Sequence, residues 1–388
     1  MTRSWETKLI HSETVVPEGY RSLTTPVYRG STTVFPRAAA LTDTWKQHEV
    51  GYTYGLYGTP TTMELAARMA ELEGGYRSFI TPGGQSALAL INLAYLDAGD
   101  RVLIPDSVYS PHRQLGDELL RRLGVECIYY SPTIGSDIAS LLTDRTRLVW
   151  CESPGSITME VQDVPAIAEA AHRVGAKVAL DNTYAAGVYF DAFAHGVDVV
   201  TQALTKYIGG HSDLLLGSVT VRNEADYERI GSTLQTLGMA VSPDECSLAL
   251  RGMQTLGVRL SALERSTLEI ARWLAGREEI ATVLHPALPS CPGHELWKRD
   301  FTGSTSVFSV EFRPEVRRSR VRAFVDALEL FEIGWSWGGV TSLAVPVNPP
   351  RTASEGRRAG ALVRFNVGLE DPADLLADLA GGLRSLGQ

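Results

Sequence analysis

Between about residue 62 and residue 221, short β-type runs alternate with helical stretches, and this alternation constrains the fold more than any other feature of the chain. Met63 to Leu72 is amphipathic and stops at Gly74-Gly75, where glycine can take the left-handed turn that ends a helix. Ser86 to Leu96 reads as a second helix, stopping near Gly99. Arg101 to Pro105, Val125 to Tyr130, Arg147 to Cys151, Lys177 to Leu180, Val197 to Thr201 and Gly217 to Val221 read as strands. Pro111 to Leu123 and Val164 to Val174 read as helices between them. Strands joined by helical crossovers pair in parallel. The expected fold class is therefore α/β, a mainly parallel sheet with helices on both faces.

The flanks read differently. Residues 1–60 are rich in Thr, Tyr, Gly and Pro without clear periodicity and suggest an extended arm. A long helical region spans roughly 243–275. Beyond it, strands such as Ser306 to Phe312 mix with helices such as Arg318 to Leu328. The expected division is an arm over 1–60, a large domain over 61–255 and a smaller α+β domain over 256–388. With 44% hydrophobic residues the chain can build large cores, and a net charge of -9 argues against binding nucleic-acid phosphates. No run approaches the roughly 18 apolar residues of a membrane helix. Met1 leads into polar sequence without an apolar leader. Cys127, Cys151, Cys246 and Cys291 form no C-x-x-C pair, which suits reduced thiols in a cytoplasmic protein, with Cys127 and Cys151 buried in apolar runs.

Open parallel sheets bind ligands outside the carboxyl ends of their strands. Here the run Val178-Ala-Leu-Asp181 ends in a carboxylate. Thr205-Lys206-Tyr207 follows, then Gly209-Gly210-His211-Ser212. Upstream, Thr81-Pro82-Gly83-Gly84-Gln85-Ser86 leads into a helix, where free backbone N–H groups and the positive helix end suit a phosphate. Each part alone has an ordinary reading: a helix-entry turn, a capping Asp, a solvated Lys. Neither G-x-x-x-x-G-K-[ST] nor G-x-G-x-x-G occurs, and Gly84-Gln85-Ser86-Ala87-Leu88 lacks the closing glycine of a nucleophile elbow. Together the three parts supply what pyridoxal phosphate requires: a phosphate cradle, a charge partner for the ring nitrogen and an amine for the aldehyde. His211-Ser-Asp213 lacks a third ligand nearby, so it reads as part of the lysine loop and no metal is expected. His285 and His294 read as packing residues, and Asp371, Asp374 and Asp378 as a solvated helix face.

These residues sit in longer matching stretches. They are Asp181-Asn-Thr183, Thr205 to Asp213, Glu152 to Val161, His285 to Pro289, Trp297 to Ser304, Ser336-Trp-Gly-Gly339, and Arg364 followed by Val367 to Asp371. On them the sequence resembles the Cys/Met-metabolism pyridoxal-phosphate enzymes over nearly its whole length. Glu152 to Val161, the Trp297 segment and Ser336-Trp337 look particularly like the bacterial cystathionine β-lyase branch.

The resemblance implies a fold-type I enzyme, a homotetramer with sites shared between subunits, and β-elimination from cystathionine in methionine biosynthesis. It implies that Lys206 carries the cofactor as a Schiff base and moves protons, that Asp181 pairs with the pyridine nitrogen, and that Tyr109 stacks on the ring. It gives Gly84, Gln85 and Thr205 to the phosphate and Tyr54 to a neighbouring subunit's site. Arg364 would grip the substrate carboxylate, with Ser336 and Trp337 beside it. Three positions depart from the family pattern. Leu56 stands where Arg is usual, with Tyr57 and Arg29 as candidate substitutes. Leu204 replaces a small residue, and Thr341 replaces Glu in many relatives. A γ-lyase or γ-replacement enzyme would use the same anchors. A non-catalytic regulatory protein would lack one of Lys206, Asp181, Tyr109 and Arg364, and all four are present.

Overall fold

The computed structural model describes residues 3–11, 19, 21–353 and 358–386. Among them, β1 (Arg77–Thr81), β2 (Arg101–Pro105), β3 (Glu126–Tyr130), β4 (Thr146–Glu152), β5 (Lys177–Asp181), β6 (Val199–Ala203) and β7 (Gly217–Val221) form one sheet in the order β1-β7-β6-β5-β4-β2-β3. The pairs β2–β3, β2–β4, β4–β5 and β5–β6 are parallel. β7 is antiparallel to both its neighbours, β6 and β1. The mainly parallel sheet is thus present with one reversed strand. The physical reason is the connection: no helix separates β6 from β7, so the chain folds back beside the strand it has just left.

The strands alternate between two cores. Val102 and Ile104 pack into one with the helices Gly84–Tyr95 and Glu224–Leu237. Leu103 packs into the other with the helix Val164–Arg173. Period-two alternation between two apolar faces is what a sheet covered on both sides demands. The helix Glu224–Leu237 escaped the sequence reading, although Asn223 accepts the Asp226 N–H as its N-cap and Gly238 closes it at φ +63°. The stretch read as one helix from Pro111 splits into a short α-helical turn, Ser110–Gln114, and a wider π-helical segment, Leu115–Leu120.

A second sheet, wholly antiparallel, runs β10-β11-β9-β8, with β8 at Ile280–Leu284, β9 at Val307–Phe312, β10 at Leu343–Val347 and β11 at Leu362–Asn366. The helices Arg318–Asp326 and Pro372–Ser385 cover it. The long helical region breaks at Thr255 into Pro243–Gln254 and Leu256–Ala275. The second of these joins the two halves. Leu256, Leu260 and Leu263 pack with Tyr207 and Ile208, while Ile270, Ala271 and Leu274 pack under the second sheet.

Among the described residues ahead of Pro60 the chain is mostly irregular, with short helical pieces at Trp5–Ile10 and Gln47–Val50. All four cysteines are buried and free. Asp378 departs from its expected role as a solvated residue. Its carboxylate accepts the backbone N–H groups of Glu329, Leu330 and Phe331, pinning the turn ahead of β10 to the last helix. Among the described residues no helix is long and apolar enough to cross a membrane.

Candidate active site

The ends of β4, β5 and β6 deliver the polar residues singled out above. The β4–β5 register sets Glu152 beside Asp181, so two acidic residues end neighbouring strands. The Asp181 carboxylate accepts the Thr183 N–H at 3.0 Å and the Thr183 hydroxyl at 2.5 Å. That hydroxyl in turn accepts the Ala203 N–H at 2.9 Å, which ties the end of β5 to the end of β6. Burial raises the Asp181 carboxyl above its ordinary range, while Thr183 and the charge of Lys206 oppose the rise. Glu152 is likewise held well above its ordinary range by burial and by Asp181.

Lys206 lies in the loop that reverses the chain between β6 and β7. Its Nζ donates to Ser336 Oγ and sits 5.2 Å from the centroid of the Trp337 ring. Burial, then repulsion from Arg364, push its pKa down to about 8, against the pull of Asp181. Ser336 takes a positive φ of +86°, a strained value for a residue with a Cβ. Its carbonyl accepts the Arg364 Nη2 at 3.1 Å. Gly338 follows at φ +82°, and a Cβ there would lie 3.1 Å from the Lys206 carbonyl carbon. Only glycine lets this turn approach the lysine backbone so closely.

Arg364, on β11, is 7% exposed and lies 5.9 Å from the Trp335 ring. Among the described residues it meets no carboxylate, and burial lowers it to about 10. Tyr109 donates its backbone N–H to Glu152 Oε2 at 2.8 Å and opens the turn Ser110–Gln114. Burial and the nearby Asp181 and Glu152 raise its hydroxyl, and Arg364 counteracts them. Asp181, Tyr109, Lys206 and Arg364 therefore share one electrostatic neighbourhood.

Gly84 begins its helix against β6, where a Cβ would come within 2.7 Å of the Ala203 Cβ. Gln85 Nε2 donates to the Pro111 carbonyl at 2.9 Å, bracing the helix start against the Tyr109 segment. The Thr205 hydroxyl donates to the Leu216 carbonyl at 3.2 Å. Tyr54 makes its contacts elsewhere. It is 45% exposed, bridges to Thr32 and meets the Tyr57 ring edge-on.

Leu56 and Leu204 find physical accounts in their packing, and Thr341 has none beyond its place on the cleft. Leu56 lines an apolar recess with Trp45, Met63 and Phe79. Its would-be substitutes are engaged: the Tyr57 hydroxyl donates to Asp43, and Arg29 pairs with Asp244. Leu204 is fully buried with Leu65, Met69 and Tyr207, so its bulk fills a core and does not crowd the lysine. Burial of that side chain contributes about 1.5–3 kcal/mol. Thr341 is exposed and lines an open cleft with Thr205, Trp335, Ser336 and Trp337.

Sequence reading missed the ties between distant segments. Asp106 accepts the N–H groups of Thr352 and Ala353 at 3.0 and 3.1 Å, and Arg351 pairs with Glu160. Asn366 Oδ1 accepts the Gly338 N–H at 2.8 Å. Nothing in local spacing signals partners that far apart. His211 Nδ1 lies 2.8 Å from the Gly209 carbonyl, inside the lysine loop.

The donor set fits pyridoxal phosphate. An amine that loses its proton near pH 8 is available to an aldehyde close to neutrality, a carboxyl stands ready for a pyridinium N–H, and a glycine-started helix faces the same strand ends. The Cys/Met metabolism PLP-dependent enzyme model matches residues 6–384. The cystathionine beta-lyase MetC of Escherichia coli is 40% identical over 364 residues, covering 92% of this chain and 92% of that protein. The cystathionine beta-lyase of Salmonella typhimurium is 38% identical over 386 residues, 97% of each chain. The crystal structure of cystathionine gamma synthase from Xanthomonas oryzae pv. oryzae in complex with cystathionine superposes with a TM-score of 0.91 at 30% identity, covering 100% of this chain and 99% of that one. The chain belongs to the family of Cys/Met metabolism PLP-dependent enzymes.

Proposed function

We propose that this chain is a carbon–sulfur lyase that cleaves cystathionine by β-elimination, giving homocysteine, pyruvate and ammonia with uptake of one water. The observation that carries the reading is the convergence of Asp181 and Arg364 on the Lys206 amine, with Tyr109 beside both of them. The similarity to two cystathionine beta-lyases supports elimination at Cβ. Bound pyridoxal phosphate supplies an electron sink that makes a Cα proton removable.

The chain's residues do the rest. Lys206 would anchor the cofactor, and its Nζ, when free, would remove the Cα proton and return a proton to the departing sulfur. A pKa near 8 suits both directions of transfer. Asp181 would keep the ring nitrogen protonated, Tyr109 would stack on the ring, and Gly84, Gln85 and Thr205 would hold the phosphate. Arg364 grips the α-carboxylate through its planar fork. Ser336 and Trp337 would steady the free Lys206 amine through the contacts they already make with its Nζ.

We assign the arm, large domain and small domain to residues 1–60, 61–255 and 256–388, and read the assembly as a homotetramer in which Tyr54 completes a neighbour's site. Free thiols support a cytoplasmic enzyme, and the reaction supports a place in methionine biosynthesis. The test is keto-acid analysis with cystathionine. Pyruvate is expected, 2-oxobutyrate would assign γ-elimination, and a protein that takes up no pyridoxal phosphate would overturn the enzyme reading.

A further inference from the structure

Behind the strand ends lies a carboxylate with no place in the chemistry above. Glu73 is the last residue of the helix Pro60–Glu73 and is 4% exposed. Its Oε2 accepts the Asn182 Nδ2 at 2.9 Å and its Oε1 accepts the Gln202 Nε2. Asn182 and Gln202 are themselves fully buried. Asn182 directly follows Asp181, and Gln202 lies on β6 just ahead of the lysine loop. A third segment closes the nest: Asn182 Nδ2 also reaches the Phe190 carbonyl at 3.3 Å, and a Cβ at Gly187 would lie 2.7 Å from Gln202 Nε2.

A buried carboxyl is costly unless its neighbours justify it. Burial lifts Glu73 to about 7, and the two amides work against that rise. An apolar residue would avoid that cost but would take from the buried Asn182 and Gln202 amides the acceptors they now use, so what the acid contributes is what its two oxygens join. They join the ends of β5 and β6, the strands that lead into Asp181 and Lys206. On the near side of the sheet the Asp181–Thr183–Ala203 chain makes the same tie.

We propose that Glu73 is a positioning residue, clamping the ends of β5 and β6 at the spacing that brings Asp181 and Lys206 onto one cofactor. It does not touch the reacting atoms. The inference rests on the reading that Asp181 and Lys206 hold pyridoxal phosphate.

The experiment uses the full chain as wild type, Glu73→Ala, Glu73→Gln and Gln202→Ala. Each is stripped of cofactor and reloaded. The readouts are pyridoxal-phosphate affinity, the pH titration of the bound cofactor's absorbance, and the Tm of the stripped protein. Glu73→Ala is expected to weaken cofactor affinity about tenfold. It should also shift the absorbance titration by about half a pH unit, because displacing Asp181 changes the charge balance at the ring nitrogen that the linkage nitrogen senses. Gln202→Ala cuts the same clamp from the other side and is expected to shift both readouts in the same direction. Glu73→Gln keeps the shape and meets both amides after one of them rotates, so it is expected to behave like wild type.

A fall in Tm with unchanged affinity and titration would reduce Glu73 to packing and overturn the proposal. If Glu73→Ala does not fold, an unchanged Gln202→Ala overturns it equally. A wild type that binds no cofactor overturns the site reading and this inference together, whereas a wild type that binds with unaffected variants overturns this inference alone.

Discussion

Lys206 Nζ donates a hydrogen bond to Ser336 Oγ, joining the loop after β6 to the turn ahead of β10. One amine thus spans the seam between the two sheets. Ser336 is held from the other side by Arg364, through its carbonyl. Lysine and arginine are thus linked through Ser336, one by its hydroxyl and the other by its carbonyl.

The depressed pKa of Lys206 has a signed consequence for stability. In the folded, cofactor-free protein the amine releases its proton near pH 8, against 10.5 in the unfolded chain. Between those values the unfolded state binds more protons, so stability gains with rising pH. The gain is absent from Lys206→Met. Denaturant midpoints of the stripped proteins measured at pH 7.5 and 10 should show the wild type improving relative to the variant across that window. Parallel behaviour of the two would show that the amine titrates normally.

Arg364→Lys keeps the charge and loses the fork. If Arg364 grips a carboxylate in two-point fashion, kcat/KM should fall about a hundredfold, mostly through KM. Steady-state kinetics with cystathionine decides it. A loss confined to kcat would place the arginine's role in the chemical step.

Gly338→Ala should destabilise the protein by about 1–3 kcal/mol, because the position combines a left-handed backbone with a close approach to Lys206. Thermal melts report the destabilisation. Cofactor affinity should fall in parallel as the lysine backbone is displaced. Wild-type values for both would mean that the turn relaxes freely.

Much of this was legible in the chain. Apolar runs at Val102–Ile104 and Val178–Leu180 announce buried strands because both faces of the sheet are covered, and Gly74 announces a helix end. Asp181, Lys206 and Gly83-Gly84 stood out because strand ends and glycine-rich turns are local patterns, whereas Tyr109, Tyr54, Arg364, Ser336 and Trp337 came only from the resemblance to the family. The rest depends on partners far apart in sequence. Glu73 reads as an ordinary helix-end acid until Asn182 and Gln202 are seen against it. Asp378 reads as a solvated acid until it meets three amides from the turn at Glu329. The reversal of β7 followed from a missing helix, a signal present in the sequence but easily passed over among so many crossovers.

That reversal sets the freedom of the lysine. β6 ends at Ala203 and β7 begins at Gly217, and five paired positions zip the two strands together. The ends of the intervening loop therefore stand about one strand spacing apart, roughly 4.8 Å. Ladder formation closes the loop, and closing a short loop removes less chain entropy than closing a long one. A crossover helix would have set the amine on a longer tether. Here most of the disorder a flexible side chain could inherit from its backbone is removed when two adjacent strands pair, before any ligand arrives.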